Sequence, residues 1–199
     1  LEFRRVLFRS LEVTRQPAVV ALGDEVPEQG PAEAAALHAA VALNKGLRLV
    51  CHRAPEVDRR VRGDPVRLRQ VLLNLLGNAL KFTDQGSVEL HLTPADLAHA
   101  EGTLAVRFEV RDTGIGIDAE AQSRLFSPFV QADSTLSQAR GGTGLGLTIS
   151  RYIVELLGGK IHFTSAPAEG STFGFTIPLK VLSTKMAQYE TAVSPLLSQ

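Results

Sequence analysis

Asp64-Pro-Val-Arg-Leu-Arg-Gln-Val-Leu-Leu-Asn-Leu-Leu-Gly-Asn-Ala-Leu-Lys-Phe82 decides how the rest of this 199-residue chain is read. Asp64 suits an N-cap, and Pro65 suits the first helical position, where a missing N–H costs nothing. At about 100° per residue, Leu68, Val71, Leu72, Leu75, Ala79 and Phe82 share one face, which predicts an amphipathic helix over 65–82 lying on a sheet. Asn74, Asn78 and Lys81 gather on an adjacent flank, because residues three and four apart are neighbours on a helix surface. Asparagine is a mediocre helix former, so two of them one turn apart point to a purpose beyond the helix. An amide oxygen is a neutral hard ligand suited to Mg2+, and a lysine ammonium meets phosphate as a point charge. The bland alternative is the polar side of an ordinary amphipathic helix.

Outward from this helix, period-two alternation predicts strands near 47–51, 87–93, 104–111, 160–165 and 171–179. The clearest is Leu104, Val106, Phe108 and Val110 against Arg107, Glu109 and Arg111, with one face apolar and one charged. Further helices are expected over 32–43, 119–126 and 147–157. Strands interleaved with a few helices, sometimes two strands in succession, imply an α/β two-layer sandwich: a mixed, mostly antiparallel sheet covered on one face by helices. Pro17, Gly23, Pro27, Gly30 and Pro31 punctuate 11–31 as a linker, and 181–199 reads as a tail, which leaves 32–180 as the domain. Residues 1–10 have two open readings, a cloning or adaptor scar or a short amphipathic helix. The chain starts at Leu1 and its one methionine is Met186, so a fragment of a longer protein is expected.

Composition narrows the function classes. With 44% apolar residues the chain can build a core, and 21 basic against 21 acidic residues leave no basic field for nucleic acid or an anionic membrane. A single cysteine, Cys51, excludes an internal disulfide and a thiolate metal site. No apolar run approaches the length that spans a bilayer.

Two glycine-rich loops carry the remaining chemistry. Asp112-Thr-Gly-Ile-Gly-Ile117 follows the clearest strand, so its carboxylate arrives at a strand end where bare backbone lets a ligand come close, and it can accept a hydrogen bond from an exocyclic amine such as adenine's. Asp-Thr-Gly also makes ordinary turns and surrounds aspartic-protease aspartates, but the helical content opposes that rival. Gly141-Gly-Thr-Gly-Leu-Gly146 opens a helix and offers N–H groups and the positive end of its dipole to phosphates. No strand precedes it as a dinucleotide fold requires, and no Lys-Ser or Lys-Thr follows as in a Walker loop. Between them, Leu125-Phe-Ser-Pro-Phe129 supplies two aromatics, either to anchor a lid or to form a small satellite core.

Arg67 to Thr83, Asp112 to Gly116, Leu125 to Phe129 and Gly142 to Leu147, in this order, closely resemble the N, G1, F and G2 boxes of sensor histidine kinases, nearest to the hybrid kinases of two-component systems. The resemblance runs from about Asn44 to Leu179 and includes Gly170-Ser-Thr-Phe173. It implies a Bergerat-type ATP-binding domain, with ATP and Mg2+ between helices and sheet. By position, Asn78 would hold Mg2+, and Asn74 and Lys81 would meet phosphates. Asp112 would take the adenine amine, with Gly114 and Gly116 lining the base pocket and Thr172 on the far side of the base. Gly142, Thr143, Gly144, Leu145 and Gly146 would surround the phosphates. The expected partners are a dimerisation and phospho-acceptor histidine hairpin and a receiver domain or response regulator, in a cytoplasmic setting, with no nucleic acid and no membrane contact by this stretch.

The resemblance also separates kinase from hydrolase. In the related gyrase, heat-shock-90 and MutL ATPases a glutamate four residues before the Mg2+ asparagine activates water; here Asn74 holds that place and cannot take a proton. Two departures stand out. None of His38, His52, His91, His99 or His162 precedes an acidic residue, so the usual phospho-acceptor is not among them. Gln138 occupies a lid position that is basic in close relatives, with Arg140 two residues on. ATP binding without autophosphorylation is therefore expected. Alternatives are a nucleotide-binding regulatory module without transfer activity, and a slow ATPase.

Overall fold

The computed structural model describes residues 18–21, 31–57, 60–95, 102–127 and 144–182. The chain runs β1 (Ala18–Ala21), α1 (Pro31–Asn44), β2 (Arg48–Arg53), a 3-10 turn (Pro55–Val57), β3 (Arg60–Gly63), α2 (Pro65–Phe82), β4 (Ser87–Pro94), β5 (Thr103–Asp112), α3 (Ala119–Gln122), α4 (Gly146–Leu156), β6 (Lys160–Ala166) and β7 (Gly170–Val181). The sheet order is β1-β3-β7-β5-β4-β2, and β6 also pairs with β7. β6 lies along residues 170–176 of β7 and β3 meets residues 180–181, while β5 occupies the other edge. All pairings are antiparallel except β2 with β4.

The long central helix forms where its local signals place it. The Asp64 side chain accepts a hydrogen bond from the Arg67 N–H at 3.0 Å, and Pro65 opens α2. At the other end Lys45 donates to the carbonyls of Leu80 and Thr83 at 2.6 and 2.7 Å, placing a cation on the negative end of the helix dipole. The buried stripe of α2 is wider than its periodicity suggested. Leu76 and Leu80 join it, and Phe82 is only half-buried, because α1 and α4 flank α2 on the same face of the sheet. Beneath them Val88, Leu90 and Leu92 of β4, Val106, Phe108 and Val110 of β5, and Phe173, Phe175 and Ile177 of β7 form one core. Phe108 and Phe175 stack at 4.8 Å at its centre.

The two-layer arrangement matches the expectation, and every predicted strand forms, but local pattern missed two. β1 and β3 pair with each other, Ala18 opposite Gly63 and Ala21 opposite Arg60, so the stretch read as linker contributes an edge strand. Each has four residues, too few for alternation to register, and each exists through its partner. The helix expected over 119–126 stops at Gln122 and tightens into turns, with Arg124 and Leu125 N–H groups bonding three residues back. Of the tail expected over 181–199, Val181 ends β7 and 183–199 lie outside the described residues, as do residues 1–10.

Candidate functional site

At the end of β5 the sheet delivers Asp112 to a loop braced from three sides. The Ile115 N–H bonds the Phe82 carbonyl at the end of α2, the Ala168 N–H bonds the Ile115 carbonyl at 2.8 Å, and the Ile117 N–H bonds Ser165 Oγ at 2.9 Å. Thr113 Oγ1 accepts from the Ser87 N–H at 3.0 Å, tying the loop to the start of β4. Gly116 turns through φ +67, and a side chain there would run into the Ala166 carbonyl oxygen, so only glycine fits.

Within this frame one oxygen of Asp112, Oδ1, accepts from the Gly114 and Ser171 N–H groups at 2.9 and 3.2 Å. Among the described residues Oδ2 takes no hydrogen bond. Burial raises the Asp112 carboxyl above its ordinary value, and the two N–H bonds pull it back only in part. A half-buried carboxylate with one oxygen fixed by backbone and the other unengaged is preorganised to accept from a donor that approaches it.

Strand alternation separates two neighbours on β7. Ser171 stands opposite Asp112 in register and shares the helix-covered face with Phe173 and Phe175. Thr172 stands opposite Arg111 and Thr164, on the other face of the sheet. The residue at the carboxylate is therefore Ser171, whose Oγ is 2.9 Å from Ser165 Oγ, and not Thr172. The motif drew attention to the threonine; counting alternate positions back from Phe173 finds the serine.

α2 and α4 are joined through a side chain. Asn74 Nδ2 donates to the buried Ser150 Oγ at 2.9 Å, and a Cβ on Gly146 would strike the Asn74 amide. Asn74 thus presses against the first turn of α4, where a larger residue at 146 would displace its amide. α2 and α3 are capped by Asp64 and Asp118, whereas α4 begins with no side-chain cap and no acidic residue in its first turn. An uncapped helix start with a positive dipole end is a fitting place for an anion. Asn78, one turn along from Asn74, is half-buried, and among the described residues its amide forms no hydrogen bond. Lys81 Nζ stands 4.9 Å over the Phe82 ring. Gly144, Leu145 and Gly146 lead into α4, while Gly142 and Thr143, like Phe129, Gln138 and Arg140, lie outside the described residues.

Phe126 closes one side. Its ring lies 5.8 Å from Phe163, which stacks 5.6 Å from Phe173, Arg151 stands over it at 5.5 Å, and its carbonyl accepts from Thr148 Oγ1 on α4. The first aromatic of the proline-flanked pair therefore lies half-buried against Phe163 and ties the start of α4 to β6.

Residues 63–181 match the family described as Histidine kinase-, DNA gyrase B-, and HSP90-like ATPase. The chain is 45% identical over 136 residues to the signal transduction histidine-protein kinase BarA of Escherichia coli (strain K12), which covers 68% of this chain and 15% of that protein. It is 46% identical over 128 residues to the sensory/regulatory protein RpfC of Xanthomonas campestris, covering 64% of this chain and 18% of that one. This chain thus spans less than a fifth of the length of these curated relatives. Among solved structures it is similar to the catalytic domain of the histidine kinase ThkA, with TM-score 0.61, 29% identity, 82% of this chain and 95% of that one covered. Full-length ShkA in complex with AMPPNP aligns with TM-score 0.64 and 34% identity over 77% of this chain and 30% of that one. Among the described residues no helix is long and apolar enough to cross a membrane.

Proposed function

The chain belongs to the histidine kinase-, DNA gyrase B- and HSP90-like ATPase family, as an ATP-binding domain of the histidine-kinase type, and we propose that it positions Mg-ATP for transfer of the γ-phosphoryl group to a histidine on a separate helical hairpin. The observation that carries the reading is the Asp112 carboxylate, held on one oxygen by the Gly114 and Ser171 N–H groups and unengaged on the other. In the proposal Oδ2 accepts from the exocyclic amine of adenine, and Gly114 and Gly116 let the base approach the backbone. Ser171 lies beside the carboxylate in place of Thr172. The uncapped start of α4, with Gly144, Leu145 and Gly146, faces the phosphates together with Lys81, and Gly142 and Thr143 join them by sequence position.

Asn78 fits the magnesium role: it offers a neutral hard oxygen that no described residue engages, one turn along α2 from Asn74, which meets the helix start assigned to phosphate. When bound, Mg2+ would neutralise charge on the triphosphate oxygens. Asn74 acts differently from Asn78. Its amide donates to Ser150 and holds α2 against α4, so it fixes the distance between the assigned metal and phosphate ends of the site, and it cannot serve as the general base of a hydrolase.

In the transfer a nitrogen of the acceptor imidazole bonds to the γ-phosphorus as the bond to the β-phosphate oxygen breaks; ADP leaves and the imidazole releases its proton. The acceptor hairpin belongs to the parent chain, a receiver domain or response regulator takes the phosphoryl group onward, and the cytoplasm supplies the ATP. The test supplies a matching histidine hairpin in trans with γ-labelled ATP. Labelling of the hairpin supports transfer. ATP binding without labelling assigns the chain instead to a nucleotide-binding regulatory module, and absence of ATP binding overturns the reading.

A further inference from the structure

The face of the sheet opposite the helices carries a row of charged and imidazole side chains that the nucleotide site does not use. His52 on β2 and His91 on β4 are direct neighbours in the parallel register, with ring centroids 4.5 Å apart. Glu89, two residues before His91 and so on the same face, places Oε2 3.1 Å from His91 Nε2 and 3.5 Å from His52 Nε2. All three ligand atoms lie within 4.8 Å of one another. We propose that His52, Glu89 and His91 form a binding site for a late first-row divalent transition cation, zinc foremost.

The geometry suits that class. Metal–ligand bonds of about 2.0 to 2.1 Å in a tetrahedron put neighbouring ligand atoms about 3.3 Å apart, between the two carboxylate–imidazole distances, and the two imidazoles, within 4.8 Å, close on an ion by rotation of the exposed His52. The other carboxylate oxygen is steadied from outside: Arg48 Nη2 lies 3.4 Å and Ser87 Oγ 3.5 Å from Oε1, which leaves Oε2 facing the two rings. Two imidazoles and one carboxylate favour zinc and its neighbours over magnesium or calcium, which take oxygen donors. Glu109, opposite His91 on the next strand, is engaged by Arg111 at 2.7 Å and His162 at 3.3 Å, so water completes the coordination. A bound ion would cross-link the edge strand β2 to β4. Asp112 lies on the other face of the sheet, and the proposal does not depend on the nucleotide site.

The experiment titrates Zn2+ calorimetrically into the full chain, free of tag and nucleotide, with Co2+ absorption reporting tetrahedral coordination. One equivalent is expected. His52→Ala and His91→Ala should each weaken binding by at least the roughly 10- to 100-fold that loss of an outer-shell partner costs. His162→Ala and Cys51→Ser should leave it unchanged, since His162 pairs with Glu109 and Cys51 projects from the opposite face of β2. Zn2+ should raise the melting temperature of the parent chain and not that of His91→Ala. Failure to bind Zn2+, binding that survives both histidine substitutions, or binding abolished by Cys51→Ser overturns the proposal.

Discussion

Replacing Asp112 by asparagine should separate nucleotide binding from stability in opposite directions. The amide oxygen of Asn can keep both bonds that Oδ1 accepts, from Gly114 at 2.9 Å and Ser171 at 3.2 Å, so the loop holds its shape. Where Oδ2 stood there is now an NH2 group, and an incoming adenine amine meets a donor instead of an acceptor. Loss of a charged hydrogen bond costs about 1.5–3 kcal/mol, and facing donors add about 1–3 kcal/mol, so at least about 2.5 kcal/mol is lost, or more than roughly fiftyfold in Kd. For the unliganded domain the sign reverses. Burial raises the folded carboxyl above its unfolded value of about 3.9, so keeping it ionised lowers stability; that cost is absent below the unfolded value and fully present above the folded one. The Asp112 contribution to stability should therefore fall as pH rises through the interval above about 4, so the stability of Asp112→Asn relative to the parent chain should rise through that interval. Calorimetric ATP titration and urea unfolding at several pH values measure the two effects. Inosine triphosphate, with a carbonyl in place of the amine, adds a specificity reading: the parent chain should prefer ATP strongly and the variant should lose that preference. Unchanged ATP affinity in Asp112→Asn, or an ATP preference equal in the two proteins, would refute the assignment of Oδ2 to adenine.

Three further outcomes are expected. Asn78→Ala should leave the unfolding curve intact and abolish the difference between ATP affinities measured with Mg2+ and with EDTA, because the amide has no structural partner among the described residues. Ser171→Ala should weaken ATP binding by about 1 kcal/mol, the worth of one ordinary hydrogen bond, while Thr172→Ala, on the far face, should leave the calorimetric Kd unchanged. Gly116→Ala should lower stability by more than the roughly 1–2 kcal/mol that a left-handed backbone alone imposes on alanine, since its Cβ also meets the Ala166 carbonyl; urea unfolding reads the loss.

Legibility in the sequence followed the range of the interactions. Helix α2 is marked by contacts three and four residues apart, its Asp64 cap and its apolar period, and the structure reproduces the expected bounds at Pro65 and Phe82. The same holds for β5, where alternation of Val106, Phe108 and Val110 with charged residues names both the strand and its buried face. Asp112 and the glycines after it were visible because a strand end followed by bare backbone is a local pattern. Tertiary structure decided the rest. β1 and β3 are each too short to show a period and form only by pairing, β1 with β3 and β3 with β7, across long sequence separations. The choice of Ser171 over Thr172 depends on a register between strands fifty-nine residues apart at the Ser171 to Asp112 bond, which no motif contains. Asn74 reads as a phosphate contact in sequence, yet its amide donor is committed to Ser150, seventy-six residues away. The cluster of His52, Glu89 and His91 is invisible along the chain because two separate strands must lie side by side to create it. Local backbone and side-chain preferences can specify elements and the residue types that bind, whereas which side chains face one another is fixed only when loop-closure entropy is overcome by packing the sheet.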